Sequence, residues 1–153
     1  RRFAFEAFLP YDKKERAQIL ENLRNETRTI IIYEAPHHLK KTLKECRKYL
    51  GNRNMTVCKE LTKRYEQKRK TTLDEMIAYY EENEPRGEYV LIFEGKSLQE
   101  LKEEKQQEWN QLTVQEHMEH YLEKGMDKKS AMKQVAKDRG VSKRDVYQEL
   151  LKK

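Results

Sequence analysis

Three short apolar runs, Ile30-Ile31-Ile32-Tyr33, Met55-Thr56-Val57-Cys58 and Glu88-Tyr89-Val90-Leu91-Ile92-Phe93, alternate along the chain with segments whose apolar residues recur at helical spacing. Runs this short, rich in β-branched and aromatic residues, suit strands better than helices. From Asp12 to Glu26, the residues Ala17, Ile19, Leu20 and Leu23 share one side of a helical projection, and Asp12 after Pro10 is placed to cap it. Pro36 suits the first turn of a second helix, which runs through His38, Leu39, Leu43, Cys46 and Leu50 and stops at Gly51. Leu73 to Glu82 reads as a third helix, and Phe3-Ala4-Phe5 as one more strand. This alternation predicts an α/β layered domain with a mixed sheet over residues 1–96. The Ile30–Tyr33 run, apolar throughout, predicts a strand buried on both faces.

Beyond Lys96 the pattern changes. Residues 97–113, SLQELKEEKQQEWNQLT, read as a polar, mostly acidic connector, helical or loosely ordered. Residues 114–153 hold three short helical patterns, Val114 to Glu123, Lys128 to Arg139 and Lys143 to Leu151. In AMKQVAKDRGVSKRDVYQELL, Val135 and Ala136 precede Gly140 and Val141, Val146 follows five residues later, and Ser142 can cap the last helix. That is the spacing of a helix-turn-helix, with Lys143 and Arg144 at the start of its second helix. Such a pair serves either to contact nucleic acid or to dock on protein.

Charge divides the same way: residues 1–97 carry 21 Lys/Arg against 16 Asp/Glu, residues 98–123 carry 2 against 7, and residues 124–153 carry 10 against 4. A basic body and basic tail around an acidic middle suit an anionic partner such as nucleic acid. The two cysteines, Cys46 and Cys58, lack metal-ligand spacing and suit free thiols in a reducing cytoplasm. No apolar run approaches the ~20 residues that span a bilayer. The chain begins RRFAFEAF without an initiator Met, which suggests an excised or processed piece.

Several chemistries have no signature here. There is no G-x-G-x-x-G, no Walker loop and no glycine before Gly51, so a glycine-rich phosphate loop is not encoded. HExxH and G-x-S-x-G are also absent; His117 and His120, at i, i+3, read as surface residues. What remains is a set of strand ends, because open α/β sheets bind ligands beyond the carboxyl ends of their strands. These are Tyr33 to His38, Lys59 to Glu66, and Gly95-Lys96-Ser97. Residues 59–70 hold six Lys/Arg, two Glu and Tyr65, which reads either as a solvated loop or as a contact for a phosphate backbone.

FAFEAFLP, RTIIIYEAPHHL, TVCKELTKRYE, TLDEM and GEYVLIFEG occur in this order. Together they closely resemble the C-terminal half of the bacterial small-subunit ribosomal RNA methyltransferase I family, within the tetrapyrrole-methylase superfamily. The resemblance is strongest over residues 1–96, and the basic tail is similar to an extension of Firmicute-type members. Two positions depart from the family pattern: Ala7 stands where Gly is usual, and His38 where Arg is usual.

The resemblance implies the C-terminal domain of a tetrapyrrole-methylase-like fold, in an enzyme that moves a methyl group from S-adenosylmethionine to the ribose 2′-hydroxyl of a cytidine in small-subunit rRNA. The cofactor would lie between two domains, and the N-terminal one, with the glycine-rich loops, is outside this chain, which alone would be inactive. Carried over by motif, Tyr33, Glu34, Ala35, Leu61, Thr62, Gly87 and Glu88 would face the cofactor. Lys63, Arg64, Lys68 and Arg69, with Lys143 and Arg144 of the tail, would contact RNA. Glu34, Glu60, Lys63 and Glu66 are near enough to assist the departing proton, and spacing leaves the base unassigned. A cytoplasmic homodimer is expected. Two other readings stay open: a stand-alone nucleic-acid-binding module with a helix-turn-helix, and a fragment of a methylase acting on a small tetrapyrrole.

Overall fold

The computed structural model describes residues 2–152. The chain forms two compact units, one ending at Ser97 and one beginning at Leu98. The first is α/β. Its elements are β1 (Phe3–Phe8), α1 (Lys13–Leu23), β2 (Thr29–Glu34), α2 (Pro36–Leu50), β3 (Asn54–Lys59), β4 (Gln67–Thr72), α3 (Leu73–Glu82) and β5 (Tyr89–Phe93). The five strands form one mixed sheet in the order β1-β2-β5-β3-β4. β1 runs parallel to β2, whereas β5 is antiparallel to both of its neighbours, β2 and β3.

Local signals start and stop the helices. The Asp12 carboxylate accepts the amides of Lys14 and Glu15 at 3.0 and 2.9 Å, satisfying two donors that the first turn leaves unpaired. Pro36 occupies the first turn of α2, and Gly51 ends it. Thr72 and Glu75 form a reciprocal capping box, so α3 follows β4 without a loop. Arg53 then ties the lower ends together: its guanidinium donates to the carbonyls of Leu50, Glu94 and Arg24 at 2.9, 2.9 and 2.7 Å.

All three helices cover the same face of the sheet. Ile30, Ile32, Leu91 and Phe93 are fully buried against Leu20 of α1, Leu39 and Leu43 of α2, and Leu73 and Met76 of α3. Burying each such side chain contributes about 1.5–3 kcal/mol. The other face is open. Register places Phe5, Ile31, Ile92, Thr56 and Lys70 in one row across it, and Phe8, Tyr33, Val90, Cys58 and Lys68 in the next. Phe5 is 50% exposed, Phe8 63% and Tyr33 39%. The expectation that the Ile30–Tyr33 strand is buried on both faces is therefore corrected, because helices cover one face only.

β4 is a second difference. Residues 59–70 read as a connection, yet Gln67–Thr72 is an edge strand paired with β3 throughout its length. QKRKTT has no apolar residue to mark it, and its strand conformation comes from pairing rather than propensity. Lys68 and Arg69 thus stand on a strand; lysines on an edge also discourage wrong pairing.

The second unit has four helices, α4 (Leu98–Asn110), α5 (Val114–Glu123), α6 (Lys128–Arg139) and α7 (Lys143–Leu151). Its core is Met118, Ala131, Met132, Val135, Ala136 and Val146. Most of the acidic stretch 97–113 is α4, which packs within this unit. The Trp109 ring stacks on His117 at 4.0 Å, and Arg139 donates to the carbonyls of Trp109 and Leu112 at 3.0 and 2.5 Å. His117 is fully buried, which corrects its reading as a surface residue. Arg139 Nε donates to its Nδ1 at 3.0 Å, so the ring's proton sits on Nε2, facing Asp138 at 3.1 Å. Burial holds its pKa below the ordinary value.

Among the described residues no helix is long and apolar enough to cross a membrane. Both cysteines are free and buried, and burial pushes the Cys46 thiol up to about 12.

Candidate functional site

Because β5 is antiparallel, its amino end lies beside the carboxyl ends of β2 and β3. A hollow of about 450 Å³ opens there, lined by Phe8, Tyr33, Glu34, Leu61, Thr62, Glu88, Tyr89 and Val90. Five of the seven residues carried over as cofactor contacts share this wall: Tyr33, Glu34, Leu61, Thr62 and Glu88. Ala35 lies in the adjoining hollow with Tyr11, Arg16 and His38. Gly87 sits beneath Glu60, with φ +82°, and a Cβ there would run into the Glu60 side chain. By contrast, Gly95-Lys96-Ser97 does not join the other two strand ends. The Lys96 amide donates to Glu26 O at 2.7 Å and the Glu94 amide to Asn54 O at 3.0 Å, at the opposite end of the sheet.

Backbone strain marks the same end. Among the described residues, the non-glycine residues with positive φ are Ala7 (50°), Glu60 (51°) and Thr62 (66°). Ala7 forms a bulge between Phe5 and its register with Ile32, just before Phe8. Glu60 and Thr62 shape the turn that carries Leu61 into the wall. Left-handed backbone costs an L-residue roughly 1–2 kcal/mol, and such strain collects at functional sites. A hollow of about 490 Å³ near Thr29, Asn54 and Glu94 touches none of the three.

The charged groups at the rim are already committed. Glu34 accepts the Ala35 amide at 2.8 Å on one oxygen and the Thr42 hydroxyl on the other. Arg16 stands 3.9 Å from the second oxygen, donates to Thr42 Oγ1 at 2.5 Å, and pairs with Glu45 at 2.5 Å. Glu34 is buried, so it holds the strand end against α2 instead of offering a free carboxylate. Glu60 accepts the Glu88 amide at 2.6 Å, which draws its pKa below the usual carboxylate range. Glu66 pairs with Lys68 at 2.7 Å and accepts the Thr62 amide at 2.7 Å; Lys68 foremost, then that amide, lowers its pKa. Lys63 donates to Glu88 at 2.8 Å, which raises its pKa. Glu60 and Glu66 are thus held ionised and Lys63 protonated, none of them tuned to exchange a proton near neutrality.

Of the cations carried over as RNA contacts, Lys63, Arg64, Lys68 and Arg69 are exposed on the β3–β4 hairpin. Arg64 lies over the Tyr65 ring at 5.4 Å and Arg69 over Tyr79 at 4.7 Å. Lys143 and Arg144 are exposed in the first turn of α7, which Ser142 and Asp145 cap. Sequence reasoning missed Phe8, Tyr89 and Val90 in the wall. Phe8 and Val90 both register with Tyr33, a neighbourhood set by strand order.

No protein-family model matches the chain. Curated relatives do. Ribosomal RNA small subunit methyltransferase I of Bacillus subtilis (strain 168) is 46% identical over 145 residues, which is 95% of this chain and 49% of the relative. Its namesake from Halalkalibacterium halodurans is 45% identical over 145 residues, 95% of this chain and 50% of the relative. That from Synechocystis sp. is 37% identical over 148 residues, 96% of this chain and 51% of the relative. The chain belongs to the ribosomal RNA small subunit methyltransferase I family. It spans about half the length of the curated relatives it matches. Both units fall within the part these methyltransferase I relatives share, since the matched residues cover nearly the whole chain.

Proposed function

We propose that this chain is the C-terminal half of an rRNA methyltransferase, with the domain boundaries read from sequence, and that it supplies one wall of the cleft where S-adenosylmethionine meets a cytidine ribose. The observation that carries the reading is the hollow beside β2, β3 and β5, lined by five motif residues, with strained Thr62 among them and strained Ala7 and Glu60 next in sequence to its lining residues Phe8 and Leu61. The specific fold is that of the C-terminal domain of a tetrapyrrole methylase.

The residues suit such a group. A hollow of about 450 Å³ lies within the ~300–1,000 Å³ of small-molecule sites. Phe8 and Tyr33 meet edge to face at 5.7 Å and offer an apolar wall for an adenosyl moiety. When bound, the cofactor supplies the methyl group as a sulfonium. Tyr33, Leu61 and Thr62 hold and orient it, with Ala35, Gly87 and Glu88 shaping the backbone around it. Glu34 acts as a positioning residue through its bonds to Thr42 and Ala35. Lys63, Arg64, Lys68 and Arg69 hold the RNA backbone close to the hollow, and Lys143 and Arg144 give the tail its own contact. The committed state of Glu60, Lys63 and Glu66 supports a hydroxyl proton leaving to a group outside this chain or to water.

The exposed aromatic side chains at the β1 edge of the open face, Phe3 and Phe5, 58% and 50% exposed, support self-association as a homodimer that leaves the hollow clear. An rRNA substrate and two free thiols support a cytoplasmic location.

Calorimetry with S-adenosylmethionine tests the main reading. Negligible binding is expected for this chain alone, with binding and rRNA methylation restored when the N-terminal half of a relative is supplied. Tight binding by the chain alone would refute a half-site.

A further inference from the structure

A separate hollow, of about 260 Å³, lies on the helix side of β3–β4, between Lys59, Gln67, Tyr79, Asn83 and Arg86. We propose that it takes an unpaired base of the RNA, next to the nucleotide being methylated; the inference rests on the reading of the chain as an RNA methyltransferase half.

Its volume falls below the ~300–1,000 Å³ of sites that enclose whole drug-sized ligands, so it fits a fragment the size of one base. One side is the Tyr79 ring, which has the Arg69 guanidinium carbon 4.7 Å from its centre. Rings and guanidinium planes are the surfaces on which unstacked bases settle, whatever their sequence. The edges carry hydrogen-bonding groups with capacity to spare. The Tyr89 hydroxyl accepts the Arg86 amide at 3.0 Å and the Tyr80 hydroxyl at 3.2 Å, which leaves its own proton for a base carbonyl or ring nitrogen. Asn83 gives its amide to Tyr79 O at 2.8 Å and keeps its carbonyl. Gln67 is exposed, and its amide offers both a donor and an acceptor. Lys59 and Arg86 at the rim suit the flanking phosphates, and the one carboxylate of the lining, Glu84, is paired with Lys40 at 2.7 Å.

Position links this hollow to the first. Tyr89 lines both, and Lys59 is its partner in register on β3. Between them stands the ridge where Glu60 meets Glu88 and Lys63 pairs with both. An RNA strand passing over Lys63 therefore sets one base on Tyr79 and its neighbour against the cofactor hollow. A base held this way is out of its duplex, which favours single-stranded RNA over helical RNA.

The test is fluorescence anisotropy of the 153-residue chain with a labelled 15-nucleotide single-stranded RNA and with an RNA duplex of equal length. Tyr79→Ala is expected to weaken single-strand binding on the order of tenfold, the worth of one stacked base. Gln67→Ala, on an exposed edge, should weaken it severalfold, duplex binding should hold for both, and Tyr79→Phe should restore the single strand. Single-strand binding unchanged in both alanine variants, or single and duplex binding lost equally, overturns the base site and leaves the proposed function standing. Failure of the unaltered chain to bind either RNA overturns both.

Discussion

Replacing Arg16 by Met puts the wall of the candidate site at risk from behind. The guanidinium is buried and serves Thr42 Oγ1 and Glu45 at 2.5 Å each, with Glu34 at 3.9 Å. The Glu34 side chain is 6% exposed, so removing Arg16 leaves its carboxylate in a dry pocket without a counter-charge. Breaking a buried pair by removing one partner costs about 3–5 kcal/mol, whereas removing both charges together is often nearly neutral. Arg16→Met is therefore expected to cost about 3 kcal/mol, at the low end because Thr42 and the Ala35 amide still serve Glu34. Adding Glu34→Gln should recover at least 1 kcal/mol of it, a coupling typical of residues in one network. Hydrogen exchange of the Ile30 and Ile32 amides reads the first unit alone, since these residues are fully buried on an interior strand of its sheet. A loss below 1 kcal/mol for Arg16→Met, or additive costs in the double variant, would show that the network does not hold the strand end.

Two further outcomes are expected. The Phe3→Glu/Phe5→Glu double variant places charges on the open face at positions that are 58% and 50% exposed; sedimentation should show a monomer with an unchanged melting profile, and a dimer surviving the change would move the interface elsewhere. His117 gives the second unit an acid limit. Burial sets its folded pKa below 6.5, with Asp138 pulling the other way and Arg139 and His120 reinforcing the drop. Above pH 6.5 both states are neutral and stability is level; as pH falls from 6.5 through the folded pKa, only the unfolded state gains a proton and stability declines. Denaturant midpoints followed by Trp109 fluorescence should drop over that range, and His117→Gln should flatten the profile.

Sequence by itself determined most of the element plan, six of the seven helices and four of the five strands among the described residues. Caps at Asp12 and Ser142, Pro36 at a helix start and Gly51 at a helix end act within a few residues, so local spacing encodes them. The five ordered motifs also carried the family, because shared residues survive in the chain's linear order. Tertiary structure alone decided which ends meet. That β5 runs antiparallel between β2 and β3 brings Gly87-Glu88 to the site and sends Gly95 away from it. Pairing with β3 alone makes a strand of QKRKTT, and packing alone buries His117 against Trp109. Strand order and burial arise from contacts between residues far apart in the chain, and periodicity, which is local, contains no record of them.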